Sequence, residues 1–182
     1  MESINSQPGH HFRFFKGFWI SNDLVSISHF ETILYGTQTT DSDAPIRSFS
    51  WDDAERFCSK LFEKELQSGH IEADHIYSLP TEAQWKYALA KEPSLFSDKY
   101  CEWCKDVWFP DFSHASSDGL TPQIGAGFDR EPFRVLRVNG KSGEGPLRWK
   151  GARTYESENV SFRVVLNWSP QGPPYEEACL IA

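Results

Sequence analysis

The sequence predicts a single α+β domain. Three observations carry that prediction. Helical periodicity with N-cap signals is confined to the first half of the chain, short alternating segments appear only in the second, and Gly- and Pro-rich stretches separate them. A length of 182 residues suits one domain. Its 39% hydrophobic and 15% aromatic content supplies a core. A chain of this size buries roughly 70% of its unfolded surface, so folding requires no disulfide or metal staple. The expected organisation is a disordered lead over 1–11, the domain over 12–168, and a Pro-containing surface tail over 169–182.

Each element follows from local signals. Phe12, Phe14, Phe15, Phe18 and Trp19 read as a buried strand that stops at Ser21-Asn22-Asp23. Ile27, Phe30, Ile33 and Leu34 recur at helical spacing behind Ser26, a plausible N-cap. Ser50 and Asp53 have capping-box spacing, and Ala54, Phe57, Cys58, Leu61 and Leu66 then share one helical face. A polar loop from Gln67 to Asp74 leads to a short extended run, Ile76 to Leu79. Pro80 and Thr81, with Gln84 three residues on, open a third helix whose stripe is Trp85, Ala88 and Leu89. Beyond Pro93 the helical period fades, and Pro110 to Pro132 reads as loop. Phe133 to Val138 and Val160 to Leu166 alternate like strands, with Leu147 to Arg153 as a third and Gly140 to Pro146 as a loop.

Charge and composition exclude some partners. The formal charge is −8, and no run of Lys and Arg overrides it, so nucleic acid is not an expected partner. No stretch approaches the ~20 apolar residues of a membrane span. Met1 to His11 lacks the charged-then-apolar pattern of a secretory signal, which gives a cytoplasmic reading. Cys58, Cys101, Cys104 and Cys179 are then expected to be free thiols.

Five segments, taken in order, resemble the family that includes formylglycine-generating enzyme, the aerobic sulfatase-modifying factor. They are Gly17 to Ile20 with Val25 to Phe30; Ile46 to Leu61, reading IRSFSWDDAERFCSKL; Tyr77 to Ala88, reading YSLPTEAQWKYA; Glu102-Trp103-Cys104; and Arg134 to Arg137, then Arg153, then Ser161 to Val165. YSLPTEAQWKYA is the most distinctive phrase. The resemblance implies a C-type-lectin-like fold with little regular secondary structure. It also implies an oxidase in which two cysteines near the last strands hold copper. Here that region, Gly145 to Thr154, reads GPLRWKGART and contains no cysteine. Soft thiolates are what capture copper(I), and Trp, Lys and Gly do not replace them. The iron-binding relatives use histidines from a separate helical domain for which this chain has no room. The family's central insert, which usually holds calcium ligands, is reduced to about Lys91 to Lys99. No cofactor is expected, and no catalytic residue is assigned.

Several residues still invite a functional reading. Cys101 and Cys104 have the spacing of half a zinc site or a redox pair, but zinc needs about four ligands and no second close pair exists; two buried structural thiols are the plainer reading. By the resemblance, Glu102 matches a calcium-binding carboxylate. Lys99 stands where an oxygen ligand is expected, and its ammonium would repel the ion or pair with Glu102; Asp98 is the remaining oxygen donor nearby. His70 and His75 share a polar loop within reach of a surface metal, although solvated histidines are commoner there. Arg148, Trp149, Arg153 and Tyr155 fall in the segment that lies near the ligand-facing surface of this fold, and Trp, Tyr and Arg dominate interface hot spots. Arg153 and Arg163 read better as structural ion-pair residues, while for Trp149 and Tyr155 core and interface readings stand level. The expected function is a non-catalytic binding module, a pseudoenzyme, that takes a protein, peptide or small ligand on its C-terminal loop surface. The alternative is a divergent metal-dependent oxidoreductase, with Cys101 and Cys104 as its candidate residues.

Overall fold

The structure, a computed structural model, describes residues 17–37, 41–110, 132–140 and 145–168. Within them the chain runs β1 (Phe18–Ile20), α1 (Ile27–Tyr35), α2 (Trp51–Gln67), β2 (His75–Ser78), α3 (Glu82–Lys91), a 3-10 turn at Pro93–Leu95, β3 (Cys101–Val107), β4 (Arg134–Val138), β5 (Leu147–Gly151), β6 (Val160–Ser161) and β7 (Val165–Trp168).

The helices begin where the sequence supplies caps. Ser26 Oγ accepts the His29 N–H at 3.2 Å, and α1 ends on Gly36 in the left-handed region, φ 71°. Both α2 and α3 open with a reciprocal capping box. Ser50 Oγ accepts the Asp53 N–H at 3.1 Å while the Asp53 carboxylate accepts the Ser50 N–H at 3.2 Å. Thr81 and Gln84 do the same at 3.2 and 2.9 Å. Each box satisfies backbone donors that a helix start leaves unpaired.

Two sheets share the core. The first has the order β1-β7-β2 and is antiparallel; the second has the order β5-β4-β3-β6, with β3 and β6 parallel. One apolar cluster centres on Phe57 and Phe162 and extends to Phe30, Phe49, Trp103 and Leu136; the other joins Trp85, Phe96, Cys104 and Val135. The ring of Phe162 lies 5.1 Å from Phe49 and 5.4 Å from Phe57. Among the described residues no helix is long and apolar enough to cross a membrane.

Several expectations need correction. Of the aromatic run expected to form a buried strand, Phe12, Phe14 and Phe15 lie outside the described residues, and Trp19 on β1 is 43% exposed because it points to the face opposite the half-buried Phe18 and Ile20. Leu66 is exposed in the last turn of α2. Val160 to Leu166 is two strands rather than one. Phe162 fills the core and Arg163 turns inward to a carboxylate, so the chain leaves one sheet and enters the other. β3 is a strand that the sequence did not reveal. Its central residues are buried on both faces, which removes the alternation of a half-exposed strand.

Candidate functional site

β5 forms one edge of the four-stranded sheet, and β4 is its sole strand neighbour among the described residues. In register, Lys150 faces Val135, Trp149 faces Leu136, Arg148 faces Arg137 and Leu147 faces Val138. The strand period of two sends Leu147, Trp149 and Gly151 to one face and Arg148 and Lys150 to the other. On the first face the buried core ends at Gly151. A Cβ there would overlap the Trp103 indole and meet Leu136 Cδ1 at 3.1 Å, so only glycine lets Trp103 close over the strand. Next to this plug Trp149 is 56% exposed, Tyr155 46% and Leu147 42%. Tyr155 meets the Trp103 ring edge-on at 6.5 Å, and its N–H donates to the Ala152 carbonyl at 2.9 Å.

The second face is anchored by charge. Arg148 Nε donates to both oxygens of Glu82 at 3.0 Å, and Nη1 donates to the Phe109 carbonyl at 2.6 Å. Glu82 is a buried carboxylate at the first position of α3. It also pairs with Arg137 at 3.3 Å and Lys86 at 3.8 Å, and its own N–H donates to Asp106 at 2.6 Å. Burial lowers the Lys86 and Arg137 pKa values, against the pull of Glu82. Enclosure and the Glu82 charge push the Asp106 carboxyl up to about 7, although the Glu82 N–H bond acts the other way. Lys150 is exposed, with its ammonium over the rings of Trp108 at 4.8 Å and Phe133 at 5.0 Å.

Arg153 leaves the strand and returns to α2. Its Nε donates to Asp52 at 2.7 Å, while its carbonyl accepts the Trp51 N–H at 2.9 Å. The Trp51 ring lies near two guanidinium groups, that of Arg134 at 4.0 Å and that of Arg153 at 5.5 Å. Of the four residues expected to face a partner, Trp149 and Tyr155 project outward while Arg148 and Arg153 are engaged by carboxylates. Sequence reasoning missed Glu82 and Asp106. The only signal was an acid at the start of a capped helix, which ordinarily reads as a solvated dipole partner.

The metal candidates have other duties. Cys101 and Cys104 are three apart on β3 and therefore point to opposite faces. Cys101 packs against the Phe57–Phe162 cluster and Cys104 belongs to the Trp85 cluster. Burial raises both thiol pKa values, which disfavours the reactive thiolate. Both oxygens of Glu102 are taken by Arg163, at 2.6 and 2.9 Å, and Trp85 Nε1 donates to one of them at 2.9 Å. The partner of Glu102 is thus Arg163 rather than Lys99, whose ammonium lies over the Tyr100 ring at 4.9 Å. His70 and His75 have separate partners. His70 Nδ1 lies 2.9 Å from Glu65, and His75 belongs to β2 and packs on Trp168 with ring centroids 4.3 Å apart. Asp98 is exposed. Among the described residues no group of three or more His, Cys, Asp and Glu side chains is placed to hold a metal ion. His10, His11, His114 and Cys179 lie outside the described residues.

A family model described as "Sulfatase-modifying factor enzyme 1-like domain" matches residues 2–107, more than half of the 182-residue chain. The chain belongs to this family. As a sulfatase-modifying-factor-like protein it shares its fold with the solved structure of PvdO from Pseudomonas aeruginosa. The two have a TM-score of 0.61 at 16% identity, over 85% of this chain and 82% of that one. No curated protein matches the chain. The family match ends at Val107, the last residue of β3, and the strands that frame the β5 face lie beyond it. A copper ion of the family's kind does not fit this site: Gly145 to Thr154 offers neither thiol nor imidazole. Calcium at Glu102 fits no better, since a cation there would sit against the Arg163 guanidinium.

Proposed function

We propose that this sulfatase-modifying-factor-like protein is a non-catalytic recognition module that engages a protein or peptide through the β5 face. The observation that carries this reading is the exposure, beside a sealed core, of Trp149 in the Gly145 to Thr154 segment that lacks the family's oxidase cysteines and of Tyr155 directly after it. Trp149, with exposed Leu147 two residues before it on the same face, gives contiguous apolar surface of the kind that marks interaction sites. Arg148 and Arg153 support the face rather than touch a partner first. Held by Glu82 and Asp52, they fix the two ends of the strand and its turn, so little ordering remains to be done on binding.

The reading is tested by purifying the protein, measuring bound copper, iron and zinc, and incubating it with copper(I), oxygen and a sulfatase-type Cys-x-Pro-x-Arg peptide. The expected result is no stoichiometric metal and an unchanged peptide cysteine. Conversion of that cysteine to an aldehyde would establish an oxidase and overturn the proposal.

A further inference from the structure

The two faces of β5 differ in a way that specifies a partner. On one side, Leu147 and Trp149 present apolar surface two residues apart. On the other, Lys150 is exposed, and none of the described residues places a carboxylate within ion-pair distance of it; its ammonium rests on Trp108 and Phe133 instead. Behind it Arg148, Arg137 and Lys86 converge on the single carboxylate of Glu82. From Pro146 to Tyr155 the sequence holds Arg148, Lys150 and Arg153 and no acid, within a chain of net charge −8. This edge is therefore locally basic on an acidic protein. Along it, among the described residues, β5 pairs with β4 alone, and no backbone hydrogen bond joins its outer side to another of them. An edge strand of this kind presents free N–H and C=O groups to any extended segment that can lie beside it.

Building on the recognition role proposed above, we infer that β5 takes its partner by strand addition: an extended acidic peptide segment pairs along Leu147–Gly151. Main-chain hydrogen bonds fix the segment, and alternate side chains read the two faces. Apolar residues of the segment lie on Trp149 and Leu147. Asp or Glu residues at the intervening positions reach Lys150 and the exposed edge of the Arg148 cluster. A basic segment meets like charge on the same side and is rejected.

The test pans the full chain against a phage-displayed library of random linear peptides. The expected yield is enrichment of sequences in which apolar residues alternate with Asp or Glu. The best peptide, made synthetically, should bind Lys150→Glu at least about tenfold more weakly than the unaltered chain. Methylating its backbone nitrogens one at a time should weaken binding at every second position, because only alternate N–H groups of an added strand face its neighbour. Circular dichroism of the Lys150→Glu chain checks that the fold is kept. No enrichment, enrichment of basic or non-alternating sequences, or indifference to N-methylation overturns strand addition. Should the enriched peptides lack that pattern and yet be lost in Trp149→Ala, the recognition face itself survives. Binding indifferent to both Trp149 and Lys150 overturns the face as well.

Discussion

Glu102 and Glu82 are both buried carboxylates held by arginine, and they serve different ends. Glu102 and Arg163 are each 1% exposed and form a closed unit. Arg163 directs Nε and Nη2 to the carboxylate, Nη1 to the Ser21 and Asn22 carbonyls, and Nη2 also to the Leu95 carbonyl. That arrangement uses all the guanidinium donors and ties β3 to the end of β1 and to the turn after α3. Glu82 instead gathers three cations, one of which, Arg148, emerges at the edge strand. The first carboxylate closes the core. The second carries core rigidity outward to β5, where Trp149 is displayed. In this molecule the closed unit on β3 lies two strands in from β5, the edge that departs from the family's chemistry.

The largest expected effect breaks the closed unit. Arg163→Ala leaves Glu102 buried without its partner and should cost about 3–5 kcal/mol, read from denaturant unfolding. That is a large share of the stability of an ordinary domain. Arg148→Ala leaves Glu82 with Arg137 and Lys86, and should cost about 1.5–3 kcal/mol, the range for a hydrogen bond to a charged group. An Arg148 loss equal to the Arg163 loss would erase the distinction between the two carboxylates. Gly151→Ala drives a methyl into the Trp103 ring and should cost about 1–3 kcal/mol by overpacking. A neutral result there would mean that the plug is loose.

A smaller effect separates the networks by pH. With the Asp106 carboxyl raised to about 7 in the fold, against an ordinary value of 3.8, the folded chain retains a proton that the unfolded chain has already released. Asp106 therefore costs stability as pH rises between those two values, and the cost levels off above about 7. Asp106→Asn still accepts the Glu82 N–H and should remove this slope. Thermal melts of the two chains should diverge in favour of the variant as pH rises from about 4 to about 7 and run parallel above that. A constant offset across that range would contradict the assignment.

The sequence made some of this legible and hid the rest for physical reasons. Capping boxes at Ser50 and Thr81 are local, so α2 and α3 could be read directly from spacing. β3 could not, because Glu102 and Cys104 lie on one buried face and Cys101 and Trp103 on the other. An acid and two thiols in a row give no strand signal until Arg163, 61 residues away, is seen to neutralise the acid. The Glu82–Arg148 pair spans 66 residues and was invisible for the same reason. Trp149 and Tyr155 could be named as candidates, but whether they faced core or solvent depended on Gly151 and Trp103 closing the core beside them.

The account rests on Trp149 being display surface and Phe162 being core, and one paired measurement compares them. Phe162 is fully buried among three phenylalanines, so Phe162→Ala should cost about 3–5 kcal/mol. Trp149→Ala should leave the melting temperature within about a degree or two of the unaltered chain, as exposed substitutions do, while abolishing capture of the enriched peptide or protein partner. If Trp149→Ala lowers stability as far as Phe162→Ala does, or leaves partner capture intact, the β5 face is not the recognition surface.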